Sequence, residues 1–177
     1  MERKVILYIA TTLDGYIARE DGGLDWLYAT EGEGDNGYGA FFQSVDTVIM
    51  GNTTYKEILG FGEPFPYENT KNYVFSHSQT GRDQNIEYVS GNDMEAFVSK
   101  IKKEEGKHIW LVGGGGLIQA FLNYHLVNEV ILAIAPVILG KGIPLFQGEI
   151  LETRFTLTNI ERFNQAVQLT YSKLKVN

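Results

Sequence analysis

The sequence predicts an α/β fold in three layers, with a mostly parallel central sheet and an antiparallel hairpin near the C-terminal end. Three observations carry this. Short apolar runs rich in β-branched residues recur along the chain and read as buried strands. Segments with helical periodicity lie between them, and strands alternating with helices imply a parallel sheet covered on both faces. The last part of the chain alternates apolar with polar residues instead, the pattern of half-exposed antiparallel strands.

The elements follow in order. Val5–Thr11 is the first strand, and Thr47–Met50, Tyr73–Phe75, Ile109–Val112 and Glu129–Ala135 repeat its character. Helices are expected over Tyr38–Ser44 and Thr53–Leu59. The clearest one runs from Asp93 to Lys103, where Met94, Phe97, Val98 and Ile101 fall on one face and Asn92 with Glu95 forms a capping-box pattern. Lys102 and Lys103 suit its C-terminal end, and Gly106 can terminate it. A further helix should begin near Gly115 and run through Phe121 to His125. Arg154–Phe163 and Ala166–Lys175 form the hairpin around Asn164-Gln165, with bulges where the alternation slips after Leu157 and after Tyr171. Thr30–Gly39 and Gly60–Asn72 read as loops, long enough to suggest a functional use.

Composition narrows the function classes. The 177 residues, 44% apolar and 21% charged, fit one globular domain over residues 1–177. A net charge of −7 argues against a broad grip on nucleic acid or an anionic membrane. With no cysteine there are no disulfides, thiolate nucleophiles or thiol-rich metal sites. The three histidines show no ligand spacing, so no metal is expected, and His108 and His125 read as structural or exposed. The apolar run after Met1-Glu2-Arg3-Lys4 is too short for a signal peptide and ends in the turn Thr11-Thr12-Leu13-Asp14-Gly15. No stretch approaches the roughly 20 apolar residues of a membrane span. A soluble cytoplasmic protein is the expectation.

Three strand ends carry candidate chemistry. The run His108 to Val112 leads into Gly113, Gly114, Gly115 and Gly116, and a helix follows with Leu117 and Ile118. Glycines let a ligand approach the backbone, and free N–H groups at a helix start attract phosphate oxygens. One or two glycines would satisfy a plain tight turn; four favour anion binding. No Lys-Ser/Thr follows, so this is not a P-loop, and no third glycine completes a Rossmann fingerprint. The literal spacing Gly32, Gly34, Gly37 is a decoy, because no buried strand precedes it and Glu33 and Asp35 would repel a diphosphate. At the second strand end Gly51 stops a strand and Asn52 or Thr53 can cap the next helix, either as simple capping or leaving N–H groups for another phosphate. At the third, Ser76, His77 and Ser78 can hold a ribose or its phosphate, or be an ordinary polar strand end. Trp26 can stack on a planar substrate or sit in the core.

Together these pieces resemble the dihydrofolate-reductase superfamily, and more closely the reductase domain of the bacterial riboflavin-synthesis deaminase-reductase and its free-standing relatives. The resemblance rests on Leu13-Asp14-Gly15-Tyr16-Ile17-Ala18, Gly23-Leu24-Asp25-Trp26-Leu27, Val45 to Gly51 with Thr54-Tyr55, the glycine run, and Ala135 to Gly142 with Pro144-Leu145-Phe146. It implies an NADPH-dependent reductase, with NADH possible, acting on a small heterocyclic or ribosylamino-pyrimidine substrate, and a homodimer to which Glu129–Leu139 contributes unless core burial claims that stretch. It implies that Ala10 and Ile17 flank the nicotinamide, that Gly51, Asn52, Thr53 and Thr54 receive cofactor phosphate, and that Ser76, His77 and Ser78 lie beside the adenosine ribose. Val112, Gly113, Gly114, Gly115, Gly116, Leu117 and Ile118 match the loop that cradles the diphosphate.

Two positions depart from that pattern. The family usually carries a basic residue where this chain has Asn52, a loss of about 1–3 kcal/mol toward a 2′-phosphate. His77 compensates only when protonated. The acid that holds a pterin in folate enzymes aligns with Asp35, and the threonine supporting it becomes Ala133. Asp35 is therefore the first candidate for orienting substrate or relaying a proton, with Asp14 and Glu33 behind it; Asp14-Gly15 reads best as a plain turn. Alternatives are a dihydrofolate reductase and a non-catalytic dinucleotide-binding protein on the same fold.

Overall fold

The computed structural model describes residues 2–174. The elements are β1 (Val5–Thr11), β2 (Tyr16–Ala18), α1 (Asp25–Tyr28), α2 (Tyr38–Gln43), β3 (Val45–Gly51), α3 (Asn52–Gly60), β4 (Lys71–Ser76), β5 (Glu87–Ser90), α4 (Met94–Lys103), β6 (His108–Gly113), α5 (Gly115–Asn123), β7 (Glu129–Ile134), β8 (Ile143–Pro144), β9 (Phe155–Phe163) and β10 (Ala166–Lys173). The main sheet has the order β5-β4-β3-β6-β1-β7-β10-β9. The strands from β5 to β7 are all parallel, and β10 runs antiparallel to both β7 and β9. This is the predicted parallel sheet with its antiparallel hairpin.

The inner strands are apolar on both faces because both faces are covered. Val5, Leu7, Ile49, Ile109 and Leu111 pack under α4 and α5 with Val98, Ile101, Ile118 and Phe121. Ile6, Val48, Met50 and Trp110 pack on the other side with Phe41 of α2, Tyr55 of α3 and the loop residues Phe65 and Tyr67. Each fully buried side chain of this kind contributes about 1.5–3 kcal/mol of transfer free energy. The far end of the sheet is fastened by Arg3, which is 2% exposed. It donates to Ile101 O at 2.8 Å and Thr47 Oγ1 at 2.6 Å, and pairs with Asp46.

Several sequence expectations are corrected. The Asn92–Glu95 capping box does not form: a 3-10 turn over Gly91–Asp93 precedes α4, Ser90 Oγ accepts from Asn92 N, and Asp93 takes the cap position without a side-chain bond. Ser90, at the end of β5, reaches those N–H groups first. The slips read after Leu157 and Tyr171 are one irregularity, since Tyr171 pairs with Leu157 and Thr170 with Asn159, leaving Thr158 as the extra residue. Lys175, the expected end of the hairpin, lies outside the described residues. The strands β2, β5 and β8 and the single-turn α1 were not expected, being too short to show a period. Of the Glu129–Leu139 stretch, β7 lies between β1 and β10 with Val130, Ile131 and Ala135 buried, whereas Ile138 is exposed. Among the described residues no helix is long and apolar enough to cross a membrane.

Candidate functional site

The parallel strands β4, β3, β6, β1 and β7 deliver their C-terminal ends, Ser76, Gly51, Gly113, Thr11 and Ile134, to one edge of the sheet. Ligands of open parallel sheets bind beyond this edge. Two neighbouring strands there, β3 and β6, run straight into α3 and α5. The cap residues of these helices are Gly51 and Gly114, and neither helix receives a side-chain cap bond. The expectation that Asn52 or Thr53 caps α3 is thus corrected: Asn52 is the first helical residue, and glycine occupies the cap.

The two helix starts lie close together, and the glycines are set by different local causes. A Cβ on Gly51 would lie 3.6 Å from Gly114 N, and one on Gly114 would lie 3.2 Å from Thr54 Oγ1. Gly113 has φ +132°, a conformation side chains rarely adopt. A Cβ on Gly115 would collide with the Gln147 carboxamide, whose Nε2 donates to Pro144 O at 3.2 Å. Nothing lies within 4 Å of the Cβ position of Gly116, which is open to solvent. Two helix N-termini side by side, with no side-chain cap bond to either among the described residues, form a positive, donor-rich notch.

The flanks of the notch are polar. Asn52 Oδ1 is buried and has no partner among the described residues. Ser76 is buried, and its Oγ accepts from Ser78 N at 3.3 Å and Gln79 N at 3.0 Å, shaping the turn that leaves His77 and Ser78 exposed. On the other side, Ile17 of β2 packs against the α4–α5 core. The β2 segment is pinned by Asp14, which accepts from Gly140 N at 2.8 Å and Leu139 N at 3.2 Å. The Thr12 hydroxyl, donating at 2.6 Å, holds the Asp14 carboxyl below the usual carboxylate range. Asp14-Gly15 is a turn, as expected, and it also ties two loops together.

A second hollow opens where β1 and β7 end and β10 begins, on the α2 side of the sheet. Register places Ala10, Ala133, Gln168 and Glu161 in one row across β1, β7, β10 and β9. Leu27, Thr30, Asn36 and Phe163 complete the cleft. Gln168 is 8% exposed; its Nε2 lies 3.4 Å from Glu161 Oε2 and its Oε1 has no partner. Sequence reasoning missed Gln168, because a polar residue in an alternating strand reads as facing solvent. In the next row, burial pushes the Tyr8 hydroxyl up, helped by Tyr38, Asp35 and Glu161, so it stays protonated at neutral pH.

The remaining candidates are placed as follows. Asp35 is exposed and accepts from Gly37 N at 3.0 Å and Gly39 N at 2.8 Å, holding the start of α2; its neighbour Asn36 lines the cleft. Trp26 is 3% exposed and its Nε1 has no partner. It backs the cleft wall: Thr30 Oγ1 donates to Trp26 O at 2.9 Å, and Leu27 is its neighbour. The structure therefore gathers Gly51 to Thr54 and Gly113 to Leu117 at one notch, with Val112 on the strand leading to it; Ile118 is fully buried in the core instead, and its N donates to Gly114 O at 3.0 Å. Ala10 and Asn36 belong to the adjoining cleft.

Comparison with known proteins identifies the family. Residues 3–169 match the model of the RibD C-terminal domain family. The protein YwjB of Bacillus subtilis (strain 168) is 45% identical over 172 residues, spanning 97% of this chain and 98% of that one. Among solved structures, a putative riboflavin biosynthesis protein from Shewanella sp. PV-4 superposes with a TM-score of 0.85 at 31% identity, covering 97% and 99% of the two chains. A deaminase/5-amino-6-(5-phosphoribosylamino)uracil reductase from Thermotoga maritima gives 0.71 at 17% identity; this chain spans 57% of it, a likeness of fold. The chain belongs to the RibD C-terminal domain family.

Proposed function

We propose that this member of the RibD C-terminal domain family is a reductase that uses NADPH, or NADH, to reduce a small heterocyclic or ribosylamino-pyrimidine substrate. The reaction would resemble the reductase step named for the Thermotoga structure. The observation that carries this reading is the pair of adjacent helix starts without side-chain caps at Gly51 and Gly114. A diphosphate fits that notch by charge and by its many acceptor oxygens. Gly113 to Leu117 and Gly51 to Thr54 hold it, with Ile118 packed beneath them. Asn52, Ser76, His77 and Ser78 line the adenosine end, and Ala10 and Ile17 border the nicotinamide.

When bound, the reduced nicotinamide supplies a hydride, two electrons and one hydrogen nucleus, to a substrate carbon. The chain's part is to hold the acceptor in the cleft, keep water out and let a proton reach the adjacent heteroatom. Asp35 is assigned to substrate orientation or that proton, drawn from solvent at the cleft mouth. The cleft has Ala133 where a folate enzyme has a threonine, which disfavours the dihydrofolate reading. Neutral Asn52 favours a second reading, a nucleotide-binding protein without chemistry. We also assign the chain to the cytoplasm as a homodimer, with β9, the exposed edge bearing Leu157 and Ile160, and Ile138, the exposed part of the Glu129–Leu139 stretch, as candidate contacts.

The test is hydride transfer, followed as loss of reduced-nicotinamide absorbance with a panel of pyrimidines and pterins. Stoichiometric oxidation by a pyrimidine is expected, with Asp35→Asn slowing turnover about tenfold or more and leaving dinucleotide affinity unchanged. Tight dinucleotide binding without oxidation by any acceptor would replace the reductase by the binding-only reading.

A further inference from the structure

We propose that the cleft beside the nicotinamide site takes an uncharged planar ring with an N–H next to a carbonyl, read by Gln168, and discriminates against phosphorylated forms of that ring. The proposal rests on the reductase reading and narrows its substrate class.

Gln168 is a buried carboxamide with one end committed and one end free. Glu161 engages Nε2, which leaves Oε1 as an acceptor with no donor among the described residues. A buried carbonyl of this kind is costly to leave unpaired, so a ligand that brings an N–H is favoured over one that does not. The floor next to it is made by the small side chains Ala10 and Ala133, in the same cross-sheet row. Ring, floor and acceptor together describe a lactam-type edge.

Charge gives the second half. None of the residues lining the cleft is Lys, Arg or His. Glu161 stands at one end of the row, and Asp35 and Glu161 both act on Tyr8 in the row beneath. Another hollow, lined by Gly32, Glu33, Arg162 and Asn164, has Arg162 as the one cation of that lining, giving its Nε to Asn164 O at 2.8 Å and sharing the hollow with Glu33. Arg19, on the loop leading to α1, is bonded through Nε and Nη2 to Asp25. A phosphate carried on the ring would thus meet carboxylates, whereas the cofactor phosphates meet helix N-termini.

The experiment is equilibrium binding to protein presaturated with oxidised dinucleotide, using uridine, 3-methyluridine and uridine 5′-phosphate as probes. Uridine is expected to bind, and 3-methyluridine and the 5′-phosphate each about tenfold or more weakly, one factor of ten being 1.4 kcal/mol. Gln168→Leu should bind uridine and 3-methyluridine equally, with dinucleotide affinity and melting temperature unchanged; the methylated probe tests the same contact on the unaltered protein. Equal binding of uridine and 3-methyluridine to the unaltered protein, or no uridine binding, overturns the assignment to Gln168. Tighter binding of the 5′-phosphate, removed by Arg162→Ala, overturns the charge argument. Failure to bind the dinucleotide at all strikes the reductase reading itself, a separate outcome.

Discussion

Position 52 shows how much one side chain decides. Asn52 opens α3 beside the notch, with a buried carbonyl that no group among the described residues satisfies. A neutral acceptor there suits a ribose hydroxyl better than a phosphate. Asn52→Arg should therefore tighten NADPH about tenfold, the worth of one charge-assisted contact, and leave NADH unchanged; parallel titrations read the difference. Equal effects on both nucleotides would place the 2′-phosphate elsewhere. At this scale the sequence was readable where a residue type has few uses. Four successive glycines marked the notch because little else requires them. Gln168 was not readable, since strand alternation cannot show that α1 and the 29–37 loop cover that face.

At the scale of elements, length separated what could be read from what could not. The strand Val5–Thr11 was found with its observed bounds because seven consecutive residues are needed to bury both faces. The pair β2 and β8 was invisible, having three and two residues. What holds that pair is local: Asp14 reaches across to Leu139 and Gly140. Asp14→Ala should speed hydrogen exchange at the Leu139 and Gly140 amides and weaken the dinucleotide several-fold by freeing Ile17, with the main sheet unaffected. Because the Asp14 carboxyl titrates below its ordinary value, the clamp is present at neutral pH. It is lost only as the pH falls through that lowered value, below the usual range near 4. Unchanged exchange at the two amides would show that backbone bonding alone fixes the loops. The hairpin tip is tied similarly, with Gln165 N donating to Glu31 O at 3.0 Å, so the cleft wall and the 29–37 loop are joined.

Over the whole molecule, sheet order converts separated motifs into one site. Gly51 and Gly113 lie far apart in sequence, yet β3 and β6 are neighbours and Met50 pairs with Gly113. The parallel core and antiparallel edge were legible from patterning, whereas strand order was not, because alternation gives no partner. A net charge of −7 gives an anionic ligand no general attraction. Binding must come from the local field of two helix starts, and this is the central claim. The most direct measurement is a tryptophan-fluorescence titration with NADPH and NADH of the protein and of Gly116→Asp. The open space at Gly116 admits the new side chain, and an acid in the first turn suits α5 itself. Saturable binding by the unaltered protein, lost in a Gly116→Asp variant that melts at the same temperature or higher, is the predicted result. Undiminished binding in that variant, or none in either protein at millimolar nucleotide, would contradict it.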